Sequence, residues 1–140
     1  MALVLSGLQE AVSALAGVLA KSDNTEFMSR LDDVARNAIR AGVILHFEFT
    51  YELCWKFIKR WLEMNISATV ADGVTRRELF RLGAENRLID HVEQWMRYHE
   101  ARNSTSHIYQ PQIADRVYNT AHDFAPDAAR LLAALEARND

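Results

Sequence analysis

FEFTYELCWKFIKRWLE, Phe47 to Glu63, decides the fold class. Phe47, Tyr51, Cys54, Ile58 and Trp61 recur at steps of three and four, the spacing of one face of an α-helix. The same stripe extends back through Val43 and Ile39, so the predicted helix runs from about Asp32 to Met64. A second, mixed stripe of Leu45, Glu48, Glu52 and Trp55 lies on another side. A helix with large groups on two faces is expected at the centre of a bundle, packed on both sides.

The flanking sequence supplies the neighbours. Upstream, Leu5, Leu8, Val12, Leu15 and Leu19 form one apolar stripe, and KSDNTE provides turn and N-cap residues. Downstream, MNISATVADGVT reads as a connection turned by Asp72 and Gly73, before a short helix around Arg76 to Leu82. A third main helix is predicted from about Leu88 to Asn103, its face formed by Val92, Trp95, His99 and Arg102. A face that begins apolar therefore ends in a guanidinium. The last helix begins near Pro111, a favoured first position, with Gln110 as an imperfect cap. Ile113, Val117, Ala121, Phe124, Ala128, Leu131 and Leu135 keep their spacing through Pro126, which predicts a kink and not a break.

Composition agrees with an all-helical chain. Two Pro and five Gly leave little room for a turn-rich β fold, and 140 residues suit one domain, 1–140, with a single core. No apolar run reaches the roughly 20 residues that span a bilayer, and the opening MALVLSGLQEAVSALAGVLA lacks the basic start of a signal peptide. One cysteine, Cys54, cannot form an internal disulfide, which points to a reduced, cytoplasmic protein. A net charge of −3 excludes binding of nucleic acid by overall positive potential, while leaving room for one local basic cleft.

Between the last two helices stands EARNSTSHIYQP, Glu100 to Pro111. Arg102 and His107 are five positions apart, so on one continuous helix they would splay by about 140°. The polar run NSTS competes with the backbone and ends helices, so the chain can turn and bring the imidazole back towards the guanidinium. The structural alternative is that Arg102 pairs with a carboxylate and His107 caps a helix.

Other constellations are weaker. Glu48 and Glu52 are four apart on a face expected to be buried, which demands an answering cation; orienting Arg102 or another Arg is the first use, a metal site the competitor. No Glu-x-x-His and no His-x-x-x-His occurs, so no metal or other cofactor is expected. Cys54, in mid-helix among aromatics, reads as a core thiol. Tyr51, Trp55 and Trp61 suit a core or an interface better than a base-stacking platform. Arg76, Arg77, Arg81 and Arg87 form a candidate RNA-backbone track, with Glu78 and Glu85 interleaved as on a solvated helix face.

RNSTSHIY reads as R-x4-H-x-Y with Asn after the Arg. Together with FEFTYELCWKFIKRWLE and with RLID, Arg87 to Asp90, followed by Trp95, it resembles the nucleotidyltransferase substrate-binding proteins of the HEPN superfamily. The resemblance covers roughly Phe47 to Tyr118. Gln110 and Pro111 stand where an acidic cap is expected, and Asn86 and Arg87 replace a small residue before Leu88.

The resemblance implies an antiparallel four-helix bundle, with a short extra helix, that forms a homodimer with two R-x4-H segments facing one cleft. It implies a metal-independent endoribonuclease, the toxin of a pair whose antitoxin is a small nucleotidyltransferase. Arg102 would then hold phosphate and His107 would act as acid or base, two types suited to cleavage of RNA by its own 2'-hydroxyl. One subunit offers one such His, and a two-fold dimer offers two. Asn103 could bind phosphate, fix the His tautomer or merely cap its helix, and Glu48 would support Arg102. Tyr109 would accept AMP from the nucleotidyltransferase, or else simply staple the chain to the bundle. The older family name leaves a second function open, a non-catalytic subunit that presents substrate to a nucleotidyltransferase.

Overall fold

The computed structural model describes residues 2–139, and among these every regular element is helical. The order is α1 (Ser6–Asp23), α2 (Thr25–Ser29), α3 (Asp33–Asn65), α4 (Arg76–Glu85), α5 (Val92–Asn103), a 3-10 turn (Ser104–His107) and α6 (Pro111–Ala137). Asp32 caps α3 by accepting the amide hydrogen of Ala35, and Asn24 does the same for Phe27 at the start of α2, a single turn that the sequence reading had left in the connection.

Side-chain pairings give the directions of the helices. Thr50 donates to the Ala11 carbonyl at 3.3 Å and Gly42 lies against Val18, so α1 and α3 are antiparallel. Arg40 meets Asp115, Phe47 meets Phe124, and Trp61 donates to the Arg138 carbonyl at 3.5 Å, so α3 and α6 run side by side in one direction. Tyr51 with His99 and Glu48 with Arg102 set α5 antiparallel to α3. The result is a four-helix bundle in which α3 and α6 form the short diagonal, with α1 and α5 on either side. Leu3 and Asn139 exchange two hydrogen bonds, 2.7 and 2.9 Å, that clasp the first segment to the last.

The stripe Val43, Phe47, Tyr51, Cys54, Ile58 and Trp61 is buried along α3. Phe124 sits at its centre, edge-on or tilted to Phe47, Tyr51, Trp95 and Tyr98 at centroid distances of 5.0 to 6.3 Å. The second stripe is covered only in part: Arg102 of α5 meets Glu48 and Glu52 and Arg76 of α4 covers Trp55, while Leu45 is 53% exposed and Phe49 beside it 63%. The expectation of neighbours on both sides of α3 holds at Glu48, Glu52 and Trp55 but not at Leu45, which no neighbouring helix covers.

Helix α4 ends earlier than a continuous helix would, and α5 starts later than Leu88. The amide of Leu88 bonds the Gly83 carbonyl at 2.9 Å and that of Arg87 the Ala84 carbonyl at 3.0 Å, with Arg87 at φ 60°. This is the Schellman pattern, and it buries Leu88 against the core. Gly83 gives close approach there: a Cβ would meet Ile58 Cγ2 at 3.2 Å and push it back by a few tenths of an ångström. Helix α6 continues unbroken across Pro126. No described helix is long and apolar enough to cross a membrane.

Candidate active site

Arg102 lies in the last turn of α5, where its side chain reaches back across α3. Its Nε donates to Glu52 Oε1 at 2.8 Å, and one terminal nitrogen lies 3.7 Å from Glu48 Oε1. Glu52 makes the direct contact and Glu48 the looser one. The other oxygen of Glu52 accepts Trp55 Nε1 at 2.9 Å, so this carboxylate is fixed from two sides. With Nε engaged, the terminal nitrogens make no hydrogen bond among the described residues, on a side chain one-third exposed. A planar fork fixed at its root is suited to holding two oxygens of a phosphate.

Beyond Asn103 the chain tightens into the 3-10 turn. Thr105, buried, donates to the Arg102 carbonyl at 2.8 Å and Ser104 to that of Glu100 at 3.0 Å, the competition with backbone that the polar run foretold. His107 closes the turn and is exposed. Its ring lies 6.1 Å from that of Tyr109 at 64°, and Tyr109 is 75% exposed. Among the described residues no hydrogen bond or ion pair joins His107 to Arg102. The chain turns as expected.

Asn103 faces a different histidine from the one anticipated. Its amide lies 3.4 Å from His99 Nε2, while His99 Nδ1 pairs with the Tyr51 hydroxyl at 2.8 Å. Burial pushes the Tyr51 phenol up, so it remains an O–H able to donate to Nδ1. Burial first, and then the Arg76 cation, hold His99 below the ordinary histidine value. The sequence reading assigned His99 to a packing stripe. Its spacing of three from Arg102 and four from Asn103 was the signal that it shares their face.

Three arginines of the candidate track have distinct surroundings. Arg77 pairs with Glu93, Arg87 occupies the left-handed cap of α4, and Arg76 lies flat on Trp55 with its guanidinium carbon 3.5 Å from the ring centre. Cys54 is buried, and burial pushes its thiol up, as fits a core residue.

Residues 3–137 match the family described as nucleotidyltransferase substrate binding protein like. The chain belongs to this HEPN-like family. A Haemophilus influenzae protein named "Probable ribonuclease HepT" is 31% identical over 140 residues, covering 96% of this chain and 93% of that protein. A solved structure from the same organism, said to reveal the fold of a substrate binding domain of a nucleotidyltransferase, superposes with a TM-score of 0.91 at 28% identity. It covers 95% of this chain and 99% of its own. A Thermus thermophilus structure at 22% identity, TM-score 0.67, covers 89% of this chain and 98% of its own and shares the fold. The HEPN-like family and its all-helical architecture are thus those the sequence motifs implied.

Proposed function

We propose that this family member is a metal-independent endoribonuclease, the toxin of a pair, which cuts RNA in the cleft of a homodimer. The observation that carries the reading is Arg102 anchored through Nε by Glu52, with no hydrogen bond on its terminal nitrogens among the described residues, and an exposed His107 in the turn that follows. In the reaction a base takes the proton of the 2'-hydroxyl, whose oxygen attacks phosphorus while an acid protonates the departing 5'-oxygen. Products are a 2',3'-cyclic phosphate and a 5'-hydroxyl. Arg102 holds the crowded phosphate, and His107 from each subunit supplies one proton-transfer group. Support for a ribonuclease comes from the HepT relative.

Tyr109 is the proposed control point. Its exposed hydroxyl would attack the α-phosphorus of ATP bound by a partner nucleotidyltransferase, releasing pyrophosphate and the phenolic proton. The attached AMP would set bulk and negative charge beside His107 and repel an RNA phosphate. The second reading, a binding subunit without catalysis, is favoured by the description of the Haemophilus structure.

A cleavage assay in EDTA separates the two. Wild type should leave cyclic or 3'-phosphate ends, His107→Ala should lose about 10²- to 10⁴-fold, and Arg102→Lys should recover little. Tyr109→Phe should cleave like wild type but resist silencing by the nucleotidyltransferase and ATP. Uncut RNA with wild type, and complex formation indifferent to His107, would establish the binding subunit instead.

A further inference from the structure

A pocket of about 370 Å³ opens between α3, the connection before α4, α4 itself and α5. Trp55, Lys59, Thr75, Arg76 and His99 supply its polar and aromatic lining, and no acidic residue lines it. Neither Lys59 nor Arg76 has a carboxylate within ion-pair distance among the described residues, although most other ion-pair contacts of the protein are close. Glu52, the nearby acid on α3, is already committed to Arg102 and Trp55.

Two further features leave donors without acceptors. The Nε of Arg76 is buried and has no hydrogen-bond partner among the described residues, an arrangement that costs stability unless something else answers it. Thr75 caps α4 by accepting the amide of Glu78 at 3.2 Å, which leaves the amides of Arg76 and Arg77 uncapped at the positive end of a ten-residue helix. Gly73, at φ 67°, lets the connection fold back to form the rim. Both nitrogens of the His99 ring already have partners, Nδ1 the Tyr51 hydroxyl and Nε2 the Asn103 amide, so the imidazole stands as a fixed wall of the pocket.

The geometry points to a phosphate site. We propose that this pocket binds a backbone phosphate of single-stranded RNA flanking the one held by Arg102, with Lys59 and Arg76 as ion-pair partners and the His99 ring as its wall. The subsite rests on the ribonuclease reading and extends it: specificity for a strand, as opposed to a lone phosphate, comes from two anchored cations addressing successive phosphates. Glu52 couples them mechanically, since it holds Arg102 with one oxygen and, through Trp55, the ring on which Arg76 lies.

The test uses a single-stranded RNA fully methylated at the 2'-oxygens, which binds but has no hydroxyl to attack. Fluorescence anisotropy against KCl concentration should show Lys59→Gln and Arg76→Gln each weakening binding about fivefold at 0.1 M salt. Each should also flatten the log–log salt slope by about 0.7, the amount for one single-strand phosphate. Arg30→Gln, whose partner Glu26 lies on the remote α2, should bind as wild type does. Lys59 makes no ion pair among the described residues, so its variant keeps the test open should Arg76→Gln unfold. Wild-type affinity and slope in Lys59→Gln, with a folded Arg76→Gln behaving alike, would overturn the subsite.

A second arm names the source of the phosphate by following the His99 ring in NMR spectra. The methylated strand should shift it and be displaced only weakly by inorganic phosphate or ATP. If ATP shifts the ring while the strand does not, the pocket serves a free nucleotide and the RNA subsite is overturned. An unmodified RNA left intact by a protein that passes the binding arm refutes the ribonuclease reading alone; normal cleavage with indifferent variants refutes the subsite alone.

Discussion

Glu52 and Glu48 look alike in the sequence, one helical turn apart on the same face, yet the structure makes them unequal. Glu52 receives Arg102 at 2.8 Å and Trp55 at 2.9 Å, while Glu48 stands 3.7 Å from the guanidinium. Glu52→Ala should therefore lower stability by about 1–3 kcal/mol, the range for hydrogen bonds to charged groups, and Glu48→Ala by under about 1 kcal/mol. Urea denaturation of the two variants measures the difference, and equal losses would show that Arg102 is held by both. His99 makes a separate, pH-dependent contribution. Its native value lies below the 6.5 of the unfolded chain, through burial and the Arg76 and Arg102 cations, against the opposite pull of Glu52 and Glu100. The unfolded chain thus binds more protons in that window, so the contribution is complete above about pH 6.5 and is lost as pH falls towards the native value. Urea midpoints between about pH 5 and 7.5 should fall more steeply with acid for wild type than for His99→Gln, whose side chain carries no titrating proton.

Among the elements, the connection from α4 to α5 offers the clearest test. Arg87 occupies a left-handed position that costs an ordinary residue about 1–2 kcal/mol, while glycine loses only some unfolded-state freedom in exchange. Arg87→Gly should stabilise the fold by about 0.5–1 kcal/mol in thermal or chemical unfolding; a loss would mean the Arg87 side chain holds something there. The same connection shows where sequence reasoning stopped. RLID continues an apolar spacing into α5, so the helix was predicted from Leu88, but the turn is set by an Arg in a conformation for which Gly is the usual signal. The long, strongly periodic α3 and α6 were legible because each buries one stripe over many turns. Proline at 126 did not interrupt the second of these, as its unbroken spacing implied. At the site, Arg102 and its carboxylates were legible from spacing and charge. His99 was not, because its partners Tyr51 and Arg76 come from two other helices and only the packing brings them together.

For the whole molecule, the exposed outer face of α3 bears on assembly. Leu45 and Phe49 stand in solvent beside Glu48 and Glu52, next to Arg102, so a second copy seated there would cover apolar surface and bring two sites together. Phe49→Asp should turn a dimer into a monomer by sedimentation and abolish cleavage, while changing monomer stability by no more than about 0.5 kcal/mol, as surface substitutions do. A dimer that survives this change would place the interface elsewhere. The clasp between Leu3 and Asn139 has a consequence of another kind, for the order of folding during synthesis. These hydrogen bonds join positions 136 apart, and α1 lies against both α3 and α6. Emerging from the ribosome before its neighbours, α1 can find α3 early, but half its groove is missing until α6 has been made. Leu8, Leu15 and Leu19 therefore wait longest for complete cover, and a chain stalled before α6 leaves them open to aggregation or capture by chaperones.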